Sequence, residues 1–275
     1  MKDRKKIFEA VFFITVTVLA LSVLFRGQNW SDLLLLIRKS NPVCLLSAVF
    51  LGLLFVCLEG YMIWRLLRLS GNDATLPGCI RYSFIGYFYS GITPSATGGQ
   101  PAQLYEMCKD GNNASDSTVV LMVVALFYKL VLVVIGIGIL IFGQGFLHRY
   151  LEGVLPVYYL GLGLNVFCVV FMTVLVFHPV LTKEILKKGV HLLEKLRLMK
   201  HKEERLEKLD ASMDTYRGTA VYLKEHMGVI VVVFGITFVQ RMALFAATWF
   251  VYRAFGLSGT SFFDILFLQA VIAVA

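Results

Sequence analysis

The middle of the chain reads Thr93-Pro-Ser-Ala-Thr-Gly-Gly-Gln-Pro-Ala-Gln-Leu-Tyr105, and this stretch decides the fold. Its two prolines and two adjacent glycines interrupt any continuous helix, yet the aromatic run 82–89 leads into it from an apolar segment. Broken backbone at membrane depth is tolerated only where protein or a water-filled cavity surrounds it. The pattern therefore predicts a re-entrant segment over residues 79–107, made of two half-helices that enter and leave at the same face of the membrane.

The polar groups of this segment suit a polar ligand inside a bilayer. The adjacent glycines can turn sharply and expose backbone N–H groups, and the hydroxyl and amide side chains add neutral hydrogen-bonding groups. The predicted substrate-binding residues of the segment are Thr93, Pro94, Ser95, Thr97, Gly98, Gly99, Gln100, Gln103 and Glu106.

The composition excludes an ordinary soluble domain. Hydrophobic residues make up 58% of the chain and charged residues only 16%, and the mean hydropathy is +0.75. Apolar runs long enough to cross a hydrocarbon core of about 30 Å predict spans at 7–25, 42–64, 117–143, 154–178 and 226–252. The predicted fold class is all-α, a polytopic integral membrane helix bundle with a re-entrant broken-helix segment. A last apolar run, 261–275, is too short to span, so we expect a single domain over 1–275 that is cut inside a helix.

The basic residues predict the sidedness of the chain. With a re-entrant segment, four polar stretches share one side and hold 19 of the 26 Lys and Arg residues, against five on the other side. These stretches are 1–6, 65–81, 108–116 and 179–225. A full crossing would move 179–225 and its 11 basic residues outside, against the usual excess of Lys and Arg in cytoplasmic loops. We therefore predict a cytoplasmic N-terminus.

Segment 179–225 has apolar residues at helical spacing among its lysines and glutamates, which predicts an amphipathic helix at the cytoplasmic membrane surface. The net charge of the chain, +8, follows largely from this topology. No nucleic-acid-binding motif accompanies it, so we expect no nucleic-acid partner.

Two cations lie near the middle of predicted spans, where each costs roughly 2.5–3.5 kcal/mol to insert. They are Lys129 and Arg241, and Glu59 and Glu106 are acids that could reach them. Two interpretations stay open: an internal salt bridge, or a cavity where the cations meet an anionic substrate group.

Phosphate is the natural candidate for that substrate group, because Arg can grip its oxygens with two hydrogen bonds while Lys adds a mobile point charge. Lys129, Arg241, Glu59 and Gln240 therefore join the predicted substrate-binding residues. Neighbouring positions on a helix point in different directions, so only some of these side chains can share one cavity.

Motifs for catalysis and metal binding are absent from the sequence. There is no P-loop, no G-x-S-x-G elbow and no H-E-x-x-H, and the five cysteines and five histidines lack metal-ligand spacing. We expect free thiols, no metal and no cofactor. The chain is predicted to move or bind its ligand and not to transform it.

Two segments together resemble the transmembrane family of lysylphosphatidylglycerol synthases, which is also known from the multiple peptide resistance factor. They are Ser90-Gly-Ile-Thr-Pro-Ser-Ala-Thr-Gly-Gly-Gln-Pro-Ala-Gln-Leu-Tyr-Glu-Met107 and Tyr252-Arg-Ala-Phe-Gly-Leu-Ser258, and Asp214-Thr-Tyr216 with Tyr222-Leu-Lys224 also fits. The resemblance covers essentially the whole chain. It implies a multi-span domain that moves aminoacylated phosphatidylglycerol, or a related lipid, to the outer leaflet of a bacterial plasma membrane.

The resemblance also implies partners and alternatives. In two-domain members a separate cytosolic domain makes the lipid from phosphatidylglycerol and lysyl-transfer RNA. No such domain is seen here, so membrane phospholipid and a separate cytosolic aminoacyl-lipid synthase are the expected partners. The alternatives are a phosphatidylglycerol lysyltransferase, a translocator of polyprenyl-linked or glycosylated lipids that works with a glycosyltransferase, and a scaffold whose buried charges pair with one another.

Overall fold

The computed structural model describes residues 30–143, 155–177 and 227–275, together with five isolated positions, Thr15, Val18, Ser22, Gly145 and Gly153. Within these ranges the chain is helical, with short connections and no strand. The predicted all-α fold class is therefore confirmed. The predicted span 7–25, apart from three of those positions, and the predicted amphipathic segment 179–225 lie outside the described residues.

Eight α-helices follow one another in the described ranges. They are α1 Trp30–Lys39, α2 Pro42–Leu69, α3 Leu76–Ile92, α4 Gly99–Lys109, α5 Ala114–Phe142, α6 Leu155–Phe177, α7 Met227–Ala254 and α8 Phe262–Val274. A single 3₁₀ turn, Pro94–Ala96, lies between α3 and α4. Four of the helices, α2, α5, α6 and α7, are long and apolar enough to cross a membrane.

Polar residues cap the starts of α2, α5 and α8. The side chain of Asn41 accepts hydrogen bonds from the backbone N–H groups of Val43 and Cys44 at the start of α2. Asn113 accepts one from Ser115 at the start of α5, and Ser261 forms a reciprocal capping box with Asp264 at the start of α8. Such caps satisfy backbone donors that have no partner in the first turn of a helix.

Helix α5 is central, because it packs against α2, α4, α6, α7 and α8. Two apolar clusters divide the core along it. The first joins the first half of α5 to α2, α3, α4 and α7, and the second joins its later half to α6, α7 and α8. Close approach depends on glycine: a Cβ atom at Gly60 of α2 would lie 2.6 Å from the Cα atom of Ile80 on α3.

Helices α3 and α4 form a hairpin that returns to the end from which it starts. Arg81 and Tyr82, in the second turn of α3, both donate hydrogen bonds to Asp110, which follows α4. Asn72, which follows α2, donates its amide to Asp116 of α5 at 3.1 Å. The end of α2, both ends of the hairpin and the start of α5 therefore lie together. The hairpin has the shape that a re-entrant segment requires, and its re-entry into the membrane stays a prediction.

Candidate functional site

The inner faces of the hairpin meet through glycine. A Cβ atom at Gly99 of α4 would lie 2.7 Å from the carbonyl oxygen of Gly86 on α3 and would overlap the hydroxyl of Ser90. A Cβ atom at Gly86 would overlap the side-chain amide of Gln103. Gly99 therefore allows the two helices to touch, in addition to any role as a backbone donor.

Thr93 shapes the tip of the hairpin. Its hydroxyl donates to the carbonyl oxygen of Tyr89 at 2.7 Å and accepts from the backbone N–H of Gly98 at 2.9 Å. The Thr97 hydroxyl donates to the carbonyl oxygen of Pro94 at 3.0 Å. These groups, predicted to meet a ligand, hold the turn in this structure.

The turn between them is exposed and has an unusual backbone. Ser95 and Ala96 have φ angles of 54° and 56°, in the left-handed region that non-glycine residues seldom adopt. The side chains of Pro94, Ser95, Thr97 and Gln100 are exposed. Of these, Ser95 and Gln100 carry the polar groups that the turn does not use.

Glu59 of α2 connects that helix to both helices of the hairpin. Its carboxylate accepts a short hydrogen bond from the Tyr87 hydroxyl on α3 and a 2.8 Å hydrogen bond from the Gln103 side-chain amide on α4. The three residues are 28 and 44 positions apart in the chain, so only the tertiary fold brings them together. One carboxylate thus holds the hairpin against α2.

Arg241 of α7 lies beside this carboxylate, between two aromatic rings. The side chain is 5% exposed, and its guanidinium carbon lies 3.9 Å from the ring centroid of Tyr128 and 4.7 Å from that of Phe55. Faces of aromatic rings attract cations. Glu59 and Tyr87 contribute to the electrostatic environment of the guanidinium.

The guanidinium of Arg241 keeps unused hydrogen-bonding capacity. Its Nε is buried and has no hydrogen-bond partner, and no carboxylate oxygen in the described ranges lies within 4.0 Å of its nitrogens. Arg241 also lies where the two apolar clusters of the core meet, since Val233 of the same helix belongs to the first cluster and Phe245 to the second.

Lys129 lies near the same aromatic ring but has a partner of its own. Its Nζ is 5.6 Å from the Tyr128 ring centroid and donates to the side-chain oxygen of Asn165 on α6 at 3.0 Å. The amide of Asn165 in turn donates to the carbonyl oxygens of Gly161 at 2.9 Å and Val274 at 3.0 Å. Asn165 thereby joins α5, α6 and α8.

Gln240 and Glu106, which were also predicted to bind substrate, have hydrogen-bond or ion-pair partners of their own. Gln240 is 2% exposed and donates its amide to the carbonyl oxygen of Phe55 at 2.8 Å, which fixes α7 against α2. Glu106 pairs with Lys109 one turn further along α4 at 3.0 Å. None of the expected salt bridges of Glu59 or Glu106 with Lys129 or Arg241 is present within 4.0 Å.

The structure therefore brings together Glu59, Gln103 and Arg241 from the predicted set. Sequence reasoning did not assign roles to Phe55, Tyr87 or Asn165, which hold these groups in place. A strongly polar Asn165 in the middle of an apolar span is a signal that could have found one of them. Among the residues that the structure describes, no group of three or more His, Cys, Asp and Glu side chains is arranged to hold a metal ion.

Four membrane-length helices, a hairpin that returns to its starting end and a buried arginine beside a carboxylate define a polytopic helical membrane protein. A family model described as "Lysylphosphatidylglycerol synthase TM region" matches residues 10–275, and the chain belongs to this family. No curated protein and no solved structure matches it. The family relates the chain to the handling of lysylphosphatidylglycerol.

Proposed function

We propose that this protein translocates lysylphosphatidylglycerol, or a related phospholipid, across the plasma membrane of a bacterium. The observation that carries the proposal is the buried Arg241 guanidinium with unused donor capacity, beside a carboxylate that is held by a re-entrant hairpin. Such an arrangement offers a polar stopping point to a headgroup inside an apolar bundle. The acyl chains stay in the surrounding lipid.

The two charges match the two kinds of charge on the headgroup. Aminoacylated phosphatidylglycerol carries a phosphodiester anion and an ammonium-bearing amino acid. A guanidinium is suited to the phosphate because it can donate two parallel hydrogen bonds, and Glu59 is suited to an ammonium group. Tyr128 and Phe55 hold the guanidinium through cation–π contacts, and its Nε–H, which has no hydrogen-bond partner, remains for the ligand.

Glu59 also couples ligand binding to the hairpin. An ammonium group that approaches this carboxylate competes with the Tyr87 hydroxyl on α3 and the Gln103 amide on α4. Loss of these hydrogen bonds loosens the hairpin from α2. Headgroup passage then requires a local movement of the hairpin and no nucleotide.

The sidedness and the partners belong to the same proposal. The excess of basic residues at the hairpin's open end supports a cytoplasmic N-terminus. A separate cytosolic aminoacyl-lipid synthase supplies the lipid on that side, and the chain delivers it to the outer leaflet. Delivery would raise resistance to cationic antimicrobial peptides, because a cationic lipid at the outer surface repels them.

The test expresses the chain in a bacterium that carries a separate lysylphosphatidylglycerol synthase, with both total and outer-leaflet lysylphosphatidylglycerol measured. We expect an unchanged total and a raised outer-leaflet share, which Arg241→Ala removes. A raised total would assign lysyl transfer to this chain and contradict the proposal. No change in either quantity would remove lysylphosphatidylglycerol as the transported lipid.

Two control variants make the test specific. Arg241→Lys keeps the charge but loses the planar fork of donors, so we expect partial transport. Arg253→Ala removes an exposed arginine of the same helix, and we expect full transport. Equal losses in Arg241→Ala and Arg253→Ala would show a general effect of charge and not a site.

A further inference from the structure

A groove of about 440 Å³ opens at the end of α2, next to the start of α7. It is lined by Trp64, Arg65, Arg68, Leu69 and Val229. Asn72, which follows in the chain, connects this end to α5, so the groove lies at the end of the bundle where the hairpin opens. It is separate from the Arg241 site, because Phe55 and Arg65 are ten residues or about 15 Å apart along α2.

The two arginines of the groove have no acidic partner among the residues that the structure describes. They are three residues apart, so they lie on the same side of the helix, and no carboxylate in the described ranges comes within 4.0 Å of either guanidinium. The Nε of Arg65 is buried without a hydrogen-bond partner. The hydrogen bond that Arg65 does make is a long one, 3.4 Å to the Tyr61 hydroxyl.

The lining of the groove is otherwise apolar and aromatic. The guanidinium carbon of Arg68 lies 5.9 Å from the ring centroid of Trp64, and Leu69 and Val229 complete the wall. Tryptophan is typical of membrane–water interfaces, where one side of its ring meets apolar groups and its N–H meets water. A ligand that fits such a lining has an anionic group next to a hydrocarbon portion.

We infer that this groove binds the phosphodiester of an anionic membrane phospholipid at the membrane surface where the hairpin opens. The two guanidinium groups meet the phosphate, and the start of the acyl chains lies against Trp64, Leu69 and Val229. A free phosphate would use the arginines but not the apolar wall. The inference does not depend on translocation, since a lipid can occupy the groove whether or not the chain moves lipids.

The test uses Trp64 as its own reporter. Trp30→Phe and Trp249→Phe leave Trp64 as the only tryptophan of the chain. The purified protein is reconstituted in mixed phosphatidylcholine and phosphatidylglycerol bilayers at fixed composition, with bromine on the acyl chains of one lipid or of the other. Bromine quenches tryptophan fluorescence at contact, so the ratio of the two quenching curves gives the lipid preference beside Trp64.

We expect Trp64 to prefer phosphatidylglycerol by roughly 25-fold, since each of the two arginines near an anionic surface contributes about a fivefold preference and the two factors multiply. Arg65→Gln with Arg68→Gln should bring the ratio to about one. Arg68→Gln alone, at an exposed position, should remove part of the preference without a folding defect. Inorganic phosphate at millimolar concentration should not change the ratio.

A matched reporter lies at the other end of the bundle. Arg253 lies 6.0 Å from the ring centroid of Trp249, and neither residue lines the groove. A version with Trp249 as the only tryptophan has one arginine beside the ring, so it should show a clearly smaller preference, about fivefold. The inference is overturned if both reporters prefer phosphatidylglycerol equally, if the preference survives in the double variant, or if inorganic phosphate abolishes it.

Discussion

The two cations within membrane-length helices, Lys129 and Arg241, both lie near the ring of Tyr128 but have different surroundings. Lys129 donates to Asn165, whose own amide is fully used by two backbone carbonyl groups. Arg241 lies against the rings of Phe55 and Tyr128 and also interacts with the Tyr87 side chain, but its buried Nε has no hydrogen-bond partner. A charge within a membrane helix is therefore a weak indication of a site by itself, and the two differ because the Lys129 ammonium group has a side-chain acceptor whereas the buried Nε–H of Arg241 has none.

The largest expected effect is a loss of stability when the contact between Lys129 and Asn165 is removed. Asn165→Leu leaves the ammonium group and the Val274 carbonyl oxygen without their partner, so we expect a loss of about 3 kcal/mol in the free energy of unfolding. Thermal unfolding in detergent measures it. A stability equal to that of the original chain would contradict the structural interpretation of this junction.

The second effect separates the two cations in function. In the proposed function Arg241→Ala removes charge-assisted hydrogen bonds to phosphate, worth about 2 kcal/mol, so we expect lipid movement to fall by roughly thirtyfold. Lys129→Ala should keep most of it after correction for the amount of folded protein. The share of lysylphosphatidylglycerol in the outer leaflet measures this difference. An equal loss of transport in both variants would contradict a functional difference between the two cations.

The third effect addresses the hairpin that supplies the donors to Glu59. Gly99→Ala places a Cβ atom against the Gly86 carbonyl and the Ser90 hydroxyl, so we expect about 1–3 kcal/mol of destabilisation from overpacking. Gly138→Ala is the control, because nothing lies within 4 Å of a Cβ atom there. Similar unfolding temperatures for the two variants would contradict the close contact of α3 and α4.

The smallest effect tests the carboxylate. Glu59→Gln keeps the shape of the side chain and removes the charge, so we expect a change in stability of less than about 1 kcal/mol. Transport of lysylphosphatidylglycerol should fall about fivefold relative to phosphatidylglycerol, because the ammonium group loses its partner. Competition between the two lipids in proteoliposomes measures the ratio of their transport rates. An unchanged ratio would show that Glu59 does not select the headgroup.

The sequence predicted the helical class and the hairpin because both depend on local composition. Apolar runs identify α5 and α7 to within a few residues. The predicted membrane span 42–64 lies within α2, and the helix itself continues to Leu69. The span ends before Arg65 because it was read from apolar residues, whereas arginine is a good helix former and continues the helix into the groove.

The sequence predicted only part of the site, because tertiary contacts between helices distant in the chain bring its residues together. Proline and glycine locate the tip of the hairpin, yet nothing local says that Gln103 meets Glu59, 44 positions earlier. The sequence likewise indicates that Arg241 needs a favourable environment but not that aromatic rings provide it. Glu106 was an equally good candidate partner for the cations, but it pairs with Lys109, three residues further along α4.

The re-entrant hairpin has a consequence for how the protein is made. Its two helices begin and end at the same end of the bundle, and neither is among the helices long and apolar enough to span a bilayer. Insertion by hydropathy alone therefore places α2 and α5 first, and the hairpin reaches its position later, by packing against helices already in the membrane. Contacts such as Gly60 with Ile80 then decide the topology of residues 76–109.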